Sequence, residues 1–206
     1  MKIKIHYSLS LLFFIFIFTG FYLEFFIFFL VIFAHELGHY LVARIYGVKI
    51  EHLTFTVLGG VLKIETVNIS WIKQIFLYGA GIIVNLLLFF GSRYLPNPYF
   101  KKLFLNYNLL LIVFNLLPIY PLDGFLILQA FLGFFKSPFR EFRLASTTSY
   151  LFLGALFVIV LVNRFGLAAW IILVYLLYQN INFSINKNNY VLKKIINNYR
   201  YEAAKS

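Results

Sequence analysis

Long apolar runs, separated by short polar or basic segments, account for most of the chain. Each run approaches the roughly 20 residues that a helix needs to cross the hydrocarbon core of a bilayer. About six membrane-spanning helices are therefore predicted, at residues 8–22, 25–46, 73–92, 103–121, 146–163 and 165–183. The mean hydropathy is +0.87 and only 12% of residues are charged, about half the share in soluble domains. We expect an all-α polytopic membrane protein.

Residues 53–66 follow a different pattern, in which apolar and polar residues alternate on either side of Gly59-Gly60. This alternation predicts a membrane-associated β-hairpin between the second and third spans, with the two glycines as its turn. The predicted register places Phe55 opposite Ile64 and gives the hairpin one apolar face. Its edge could pair with an extended substrate segment. The alternative is a hairpin that only caps the helices, and the sequence favours neither.

The formal net charge of +11 bears on topology. Because the basic residues flank apolar spans, we expect them to contact anionic lipid headgroups, and we do not expect nucleic acid as a partner. If both termini are cytoplasmic, four of the 18 Lys and Arg residues fall on the outer side. This bias satisfies the positive-inside rule. The four outer residues are Arg93, Lys101, Lys102 and Arg164.

The chain divides into one integral domain, residues 1–183, and a short cytoplasmic tail, residues 184–206, with no additional regulatory domain expected. In the tail, Val191, Ile195 and Tyr199 recur at helical spacing among basic residues. That spacing favours a short amphipathic helix at the membrane interface. A solvated tail is the alternative.

The segment His35-Glu36-Leu37-Gly38-His39 lies inside the second apolar run. On a helix the two histidines share one face, so both imidazoles can reach one metal ion, and Glu36 can accept a proton from a water. The chain has no cysteine, so a metal site must use His and carboxylate ligands. The alternative is a pair of hydrogen-bonded histidines beside a buried Glu, which is costly inside a membrane.

A catalytic zinc site needs a third protein ligand and one open position. Asp123 is the best remaining candidate, because it follows a helix broken by Pro118 and Pro121 and precedes Gly124. Irregular backbone at membrane depth is tolerated where it lines a cavity. Asp123 could instead cap the helix that follows, and the two roles can coexist.

These two motifs, His-Glu-x-x-His at 35–39 and Asn-x-x-Pro leading to Leu-Asp-Gly at 115–124, resemble those of the site-2 protease family of intramembrane zinc metalloproteases. The stage IV sporulation protein FB branch is the most similar. The resemblance implies one zinc ion per chain, bound by His35, His39 and Asp123, with Glu36 as the general base. It further implies the cell membrane of a bacterium and an inhibitory membrane protein partner.

The chain departs from the family at residues 80–85, where a proline that many members have is absent and Asn85 is retained. The resemblance implies that Asn85 contacts the substrate or anchors the hairpin, whereas an interhelical hydrogen bond is the alternative. The candidate substrate contacts are Asn85, Asn115, Pro118, Gly59 and Gly60.

The predicted activity is zinc-dependent hydrolysis of a peptide bond in a protein with a membrane-associated segment. The resemblance to the sporulation branch implies a sigma-factor precursor as the substrate. An anti-sigma factor or a signal-peptide remnant is the alternative substrate. A metal transporter or sensor, or a catalytically silent scaffold, would be a function without proteolysis, but a transport path should place polar residues along several spans.

Overall fold

The computed structural model describes residues 2–5, 20–48, 50–56, 59–64, 69–135 and 137–203. Residues 8–19 of the predicted first span lie outside the described residues. The described part is mostly helical. Its helices are α1 (Tyr22–Ile45), α2 (Trp71–Gly91), α3 (Pro98–Leu116), α4 (Asp123–Phe135), α5 (Pro138–Val162), α6 (Leu167–Ile185) and α7 (Lys187–Ala203), and a 3-10 turn, Ser92–Tyr94, extends α2.

Four of these helices are long and apolar enough to cross a membrane: α1, α2 with its extension, α5 and α6. They correspond to the second, third, fifth and sixth predicted spans. Helix α3 lies where the fourth span is predicted but is not among the four, and α4 is a shorter apolar helix. The protein is thus an integral membrane protein, and the count of six spans stays a prediction.

Within the described ranges, three short strands form one sheet in the order β1 (Lys2–Ile5), β2 (Ile50–Thr56) and β3 (Gly59–Ile64). Strand β1 pairs parallel with β2, a pairing that was not predicted from the sequence, and β2 pairs antiparallel with β3. The predicted register is wrong, because Phe55 lies opposite Gly60 and not Ile64. Gly59 and Gly60 are the first residues of β3 rather than the turn, and residues 57 and 58, which connect the strands, lie outside the described residues.

The wrong register has a simple physical origin. Side chains alternate between the two faces of a strand, so shifting the pairing by an even number of residues leaves every side chain on the same face. The observed partner of Phe55 differs from the predicted one by four residues. Alternation alone therefore cannot choose between the two registers, and pairing of β2 with β1 is a constraint that the local pattern does not contain.

The chain divides into two compact units. The first unit comprises Met1–Val67 and Gly79–Phe114. Ile27, Val31 and Ile32 of α1 pack with Leu111 of α3 in its apolar core. Helix α1 is followed by Gly47, which has a φ of 66° and so adopts a left-handed conformation that suits glycine. The adjacent Val48 N–H donates a hydrogen bond to the Ala43 carbonyl at 2.9 Å. Strand β3 also packs against α1.

The second unit comprises Asn68–Tyr78 and Asn115–Ser206. Helix α5 packs against α4, α6 and α7. Its Glu141 is completely buried and forms an ion pair with Lys194 of α7. Tyr190 of α7 donates a hydrogen bond to the same carboxylate at 2.9 Å. Burial, and then the nearby Glu141, raise the pKa of Tyr190 well above its ordinary value, so its hydroxyl keeps its proton. The helix predicted in the tail is present, and its place at the membrane interface stays a prediction.

Candidate metal centre

Helix α1 carries the two histidines on a buried face. His35, Glu36 and His39 are at most 7% exposed, although the sequence around them is apolar on all sides. The Nε2 atoms of His35 and His39 lie 3.2 Å apart. The four-residue spacing of the helix therefore aims both imidazoles at one point, as the sequence predicts.

Helix α2 approaches this pair closely through small residues. A Cβ atom added to Gly81 would lie 2.4 Å from His39 Nε2 and 2.6 Å from His35 Nε2. A Cβ added to Gly38 on α1 would lie 2.8 Å from the Ala80 carbonyl oxygen. Only glycine leaves room for the imidazoles at position 81. Gly81 was not predicted as a site residue, although the run Gly79-Ala80-Gly81 is a signal of close helix packing.

Asn85 lies four residues after Gly81, one turn further along α2. Its side chain is completely buried. Within the described residues, neither its Oδ1 nor its Nδ2 atom has a hydrogen-bond partner. The structure therefore does not show the interhelical hydrogen bond that was the alternative to a substrate contact. A buried amide without partners is costly, which suits a group that binds a polar ligand.

Asp123 is the first residue of α4. A carboxylate in the first turn is favoured by the positive end of the helix dipole. Gly124 packs so closely that an added Cβ would lie 2.3 Å from the Leu116 carbonyl oxygen. Asn115 and Pro118 lie at the end of α3 and in the turn before Asp123, and both are half-buried.

One possible ligand atom from each of His35, His39 and Asp123 lies within 4.8 Å of the others. This donor set fits zinc. Two imidazole nitrogens at about 2.0–2.1 Å from a tetrahedral zinc ion are roughly 3.3 Å apart, close to the separation seen here. Two imidazoles and one carboxylate also leave the fourth position open, as catalytic zinc sites require.

The comparisons with known proteins agree with this chemistry. Residues 23–94 match the sequence model of peptidase family M50, and this segment includes His35, Glu36, His39 and Asn85. The resemblance to the site-2 protease family is thereby confirmed. Members of this family are zinc metalloproteases, and the His-His-Asp cluster could hold the metal ion.

Individual relatives are similar over parts of the chain. Stage IV sporulation protein FB of Bacillus subtilis is 34% identical over 160 residues, which are 71% of this chain and 54% of that protein. A zinc metalloprotease of Methanocaldococcus jannaschii is 34% identical over 126 residues, which are 55% of this chain and 36% of that protein. The chain spans between 26% and 54% of the length of the curated relatives that it matches.

A solved structure shows the same fold. The site-2 protease from Methanocaldococcus jannaschii matches with a TM-score of 0.67 at 24% identity, covering 88% of this chain and 90% of that chain.

Proposed function

We propose that the chain is an intramembrane zinc metalloprotease that hydrolyses a peptide bond in a membrane-associated protein. The observation that carries this proposal is the cluster of His35, His39 and Asp123 with Glu36 buried on the same helix as the histidines. The three clustered residues would bind zinc. When bound, zinc would supply a Lewis acid that polarises the scissile carbonyl and lowers the pKa of water towards neutrality.

Glu36 is the general base in this proposal. Its carboxylate accepts the proton of the attacking water and then delivers that proton to the leaving amine. Glu36 is 5% exposed and lies in an apolar helix long enough to cross a membrane, where ionisable residues are rare and usually functional. The mechanism needs no other acid or base from the chain.

Substrate contacts follow from the surroundings of this helix. Asn85 offers a buried amide, which has no hydrogen-bond partner among the residues that the structure describes, to a peptide carbonyl or N–H of the substrate. In the described residues β3, which begins with Gly59 and Gly60, has a strand partner on one side only and packs against α1. Its other edge could pair with a locally unwound substrate. Asn115 and Pro118 would shape the turn that presents Asp123.

A sigma-factor precursor is the substrate that we propose to test first. The similarity to stage IV sporulation protein FB supports this choice. An anti-sigma factor or a signal-peptide remnant would need the same zinc chemistry, so cleavage of one of these instead would change the substrate and leave the enzyme class unchanged. We further propose an inhibitory membrane protein partner, on the same similarity.

The proposal is tested by co-expressing a tagged sigma-factor precursor with wild-type or variant protein and measuring the shortened product. We expect the product from wild type, none from Glu36→Gln or Asp123→Ala, and one zinc per chain in Glu36→Gln. Glu24→Gln is the matched control, since Glu24 lies on the same helix, about 18 Å from Glu36. Cleavage by Glu36→Gln at the wild-type rate would overturn the assignment of the base.

A further inference from the structure

In the turn between α3 and α4, the regular backbone hydrogen bonding of a helix is interrupted. Pro118 and Pro121 lack an N–H group, so the helical ladder cannot run through this segment. Ile119 N–H donates to the Leu117 carbonyl and Leu122 N–H donates to the Ile119 carbonyl, both at 2.8 Å. Tyr120 lies at the centre of the turn, and its backbone takes its partners from side chains of other helices.

Ser149 of α5 and Asn180 of α6 supply these partners. Tyr120 N–H donates to Ser149 Oγ at 3.1 Å, and Asn180 Nδ2 donates to the Tyr120 carbonyl at 2.8 Å. The Ser149 hydroxyl donates to Asn180 Oδ1 and closes the ring. Asn180 Nδ2 also donates to the Leu176 carbonyl of its own helix at 2.8 Å, so every polar atom of the amide is used.

The ring of hydrogen bonds is buried. Ser149 is 0% and Asn180 2% exposed, so water does not compete for these groups. The Tyr120 side chain adds a second constraint, because it stacks on Phe183 of α6 with ring centroids 4.3 Å apart. Two helices that supply no metal ligand therefore fix both the backbone and the side chain of Tyr120.

Asp123 follows Tyr120 by three residues and is joined to it by a short, constrained path. Before Asp123, the hydrogen bond from Leu122 N–H to the Ile119 carbonyl constrains the backbone. After Asp123, Gly124 constrains the backbone, because it packs directly on the Leu116 backbone at the end of α3. Because this path is short and constrained, we expect a displacement of Tyr120 to reach the Asp123 backbone.

We infer that Ser149 and Asn180 are positioning residues for the Asp123 carboxylate. This inference rests on the proposed function only in taking Asp123 as a zinc ligand. Residues that orient a ligand from outside the coordination sphere typically change metal affinity by about 10- to 100-fold when they are replaced. Because these two act through the turn backbone, we expect the lower end, about tenfold.

The test uses full-length purified protein in detergent, with zinc affinity measured by competition against a chelator. Ser149→Ala and Asn180→Leu remove the bonds to Tyr120 with little change in volume. Ser184→Ala is the matched control, because Ser184 and Tyr150 also join α6 to α5, through a 3.0 Å hydrogen bond that does not involve the turn. The visible absorption of the cobalt-substituted protein reports on the ligand geometry independently of activity.

We expect Ser149→Ala and Asn180→Leu to bind zinc about tenfold more weakly and to show an altered cobalt spectrum, while Ser184→Ala matches wild type in both measurements. If the first two variants melt at lower temperature but keep wild-type zinc affinity and cobalt spectrum, their role is merely structural and the inference fails. Failure of the proposed function is distinct, because wild type itself would then bind no zinc or Asp123→Ala would bind it with unchanged affinity.

Discussion

His35 and His39 have their Nε2 atoms 3.2 Å apart, on a helix that offers almost no other polar group at that depth. This separation needs no distortion to accept a tetrahedral ion. Gly81 of α2 leaves the space for this ion, because it lies against both nitrogens and has no side chain. A residue with no functional group of its own is therefore as important to the site as a ligand.

Gly81→Ala should abolish zinc binding while the helices remain folded. The added methyl group would lie within 2.6 Å of both Nε2 atoms, so at least one imidazole must turn away. Zinc per chain, measured by elemental analysis of purified protein, should fall from about one to near zero.

The matched control for Gly81→Ala is Gly91→Ala in the same helix, where an added Cβ meets nothing within 4 Å. It should keep its zinc, and its free energy of unfolding should change by no more than about 0.5 kcal/mol, since Gly91 is an exposed residue at the end of the helix. Full zinc occupancy in Gly81→Ala would contradict the close approach of α2 to the imidazoles.

The sequence predicts the histidines and Glu36 for a reason that does not extend to Gly81, Ser149 or Asn180. A four-residue spacing on one helix is a local property, and ionisable groups in an apolar run are conspicuous. Gly81, Ser149 and Asn180 matter because of what lies beside them in other helices. A buried Ser or Asn in an apolar helix has several equally plausible partners, so composition and spacing do not single out Tyr120.

Among the elements, the prolines predict the break before Asp123 and the polar tail predicts a helix, and both are present. The sheet was predicted less well, since an even shift in register leaves the faces unchanged and β1 is remote in sequence from its partner. Helix α7 was expected only to lie at the membrane interface. Its attachment to Glu141 of α5 depends on a pairing between residues far apart in the chain, which a single sequence does not reveal.

Helix α7 is attached to α5 through an ion pair between Lys194 and the buried carboxylate of Glu141. Glu141 is 0% exposed and Lys194 20% exposed, and within the described residues the second carboxylate oxygen of Glu141 has no hydrogen-bond partner. Lys194→Met would leave a buried carboxylate without its cation. We expect a loss of about 3 kcal/mol in the free energy of unfolding, measured by denaturant titration in mild detergent.

The control for Lys194→Met is Lys193→Met, because Lys193 is the exposed neighbour on the same helix. A change of no more than about 0.5 kcal/mol is expected there. Equal losses in the two variants would mean that overall charge, and not the buried pair, keeps α7 in place.

For the whole chain, the apolar helices define an integral membrane protein, while its orientation is a prediction from the distribution of basic residues. Two basic segments of the described structure carry this prediction. Helix α5 carries Arg140 and Arg143 near its N-terminus, and α7 carries Lys187, Lys193 and Lys194. Both basic segments are predicted to lie on the cytoplasmic side, where the anionic lipid surface would attract them.

The orientation can be measured directly, because the chain contains no cysteine and a single introduced thiol is the only site of labelling. Asn188→Cys in α7 and Lys102→Cys in α3 place the thiol at exposed positions on opposite predicted sides. A membrane-impermeant maleimide added to intact cells should label Lys102→Cys and not Asn188→Cys, and lysis should make both react.

Labelling of Asn188→Cys in intact cells would reverse the topology. It would also place the end of α1 that follows His39 on the outer side, because an even number of spans separates that end from α7 in the six-span arrangement. A cytoplasmic sigma-factor precursor would then be the wrong substrate, even with the zinc chemistry intact.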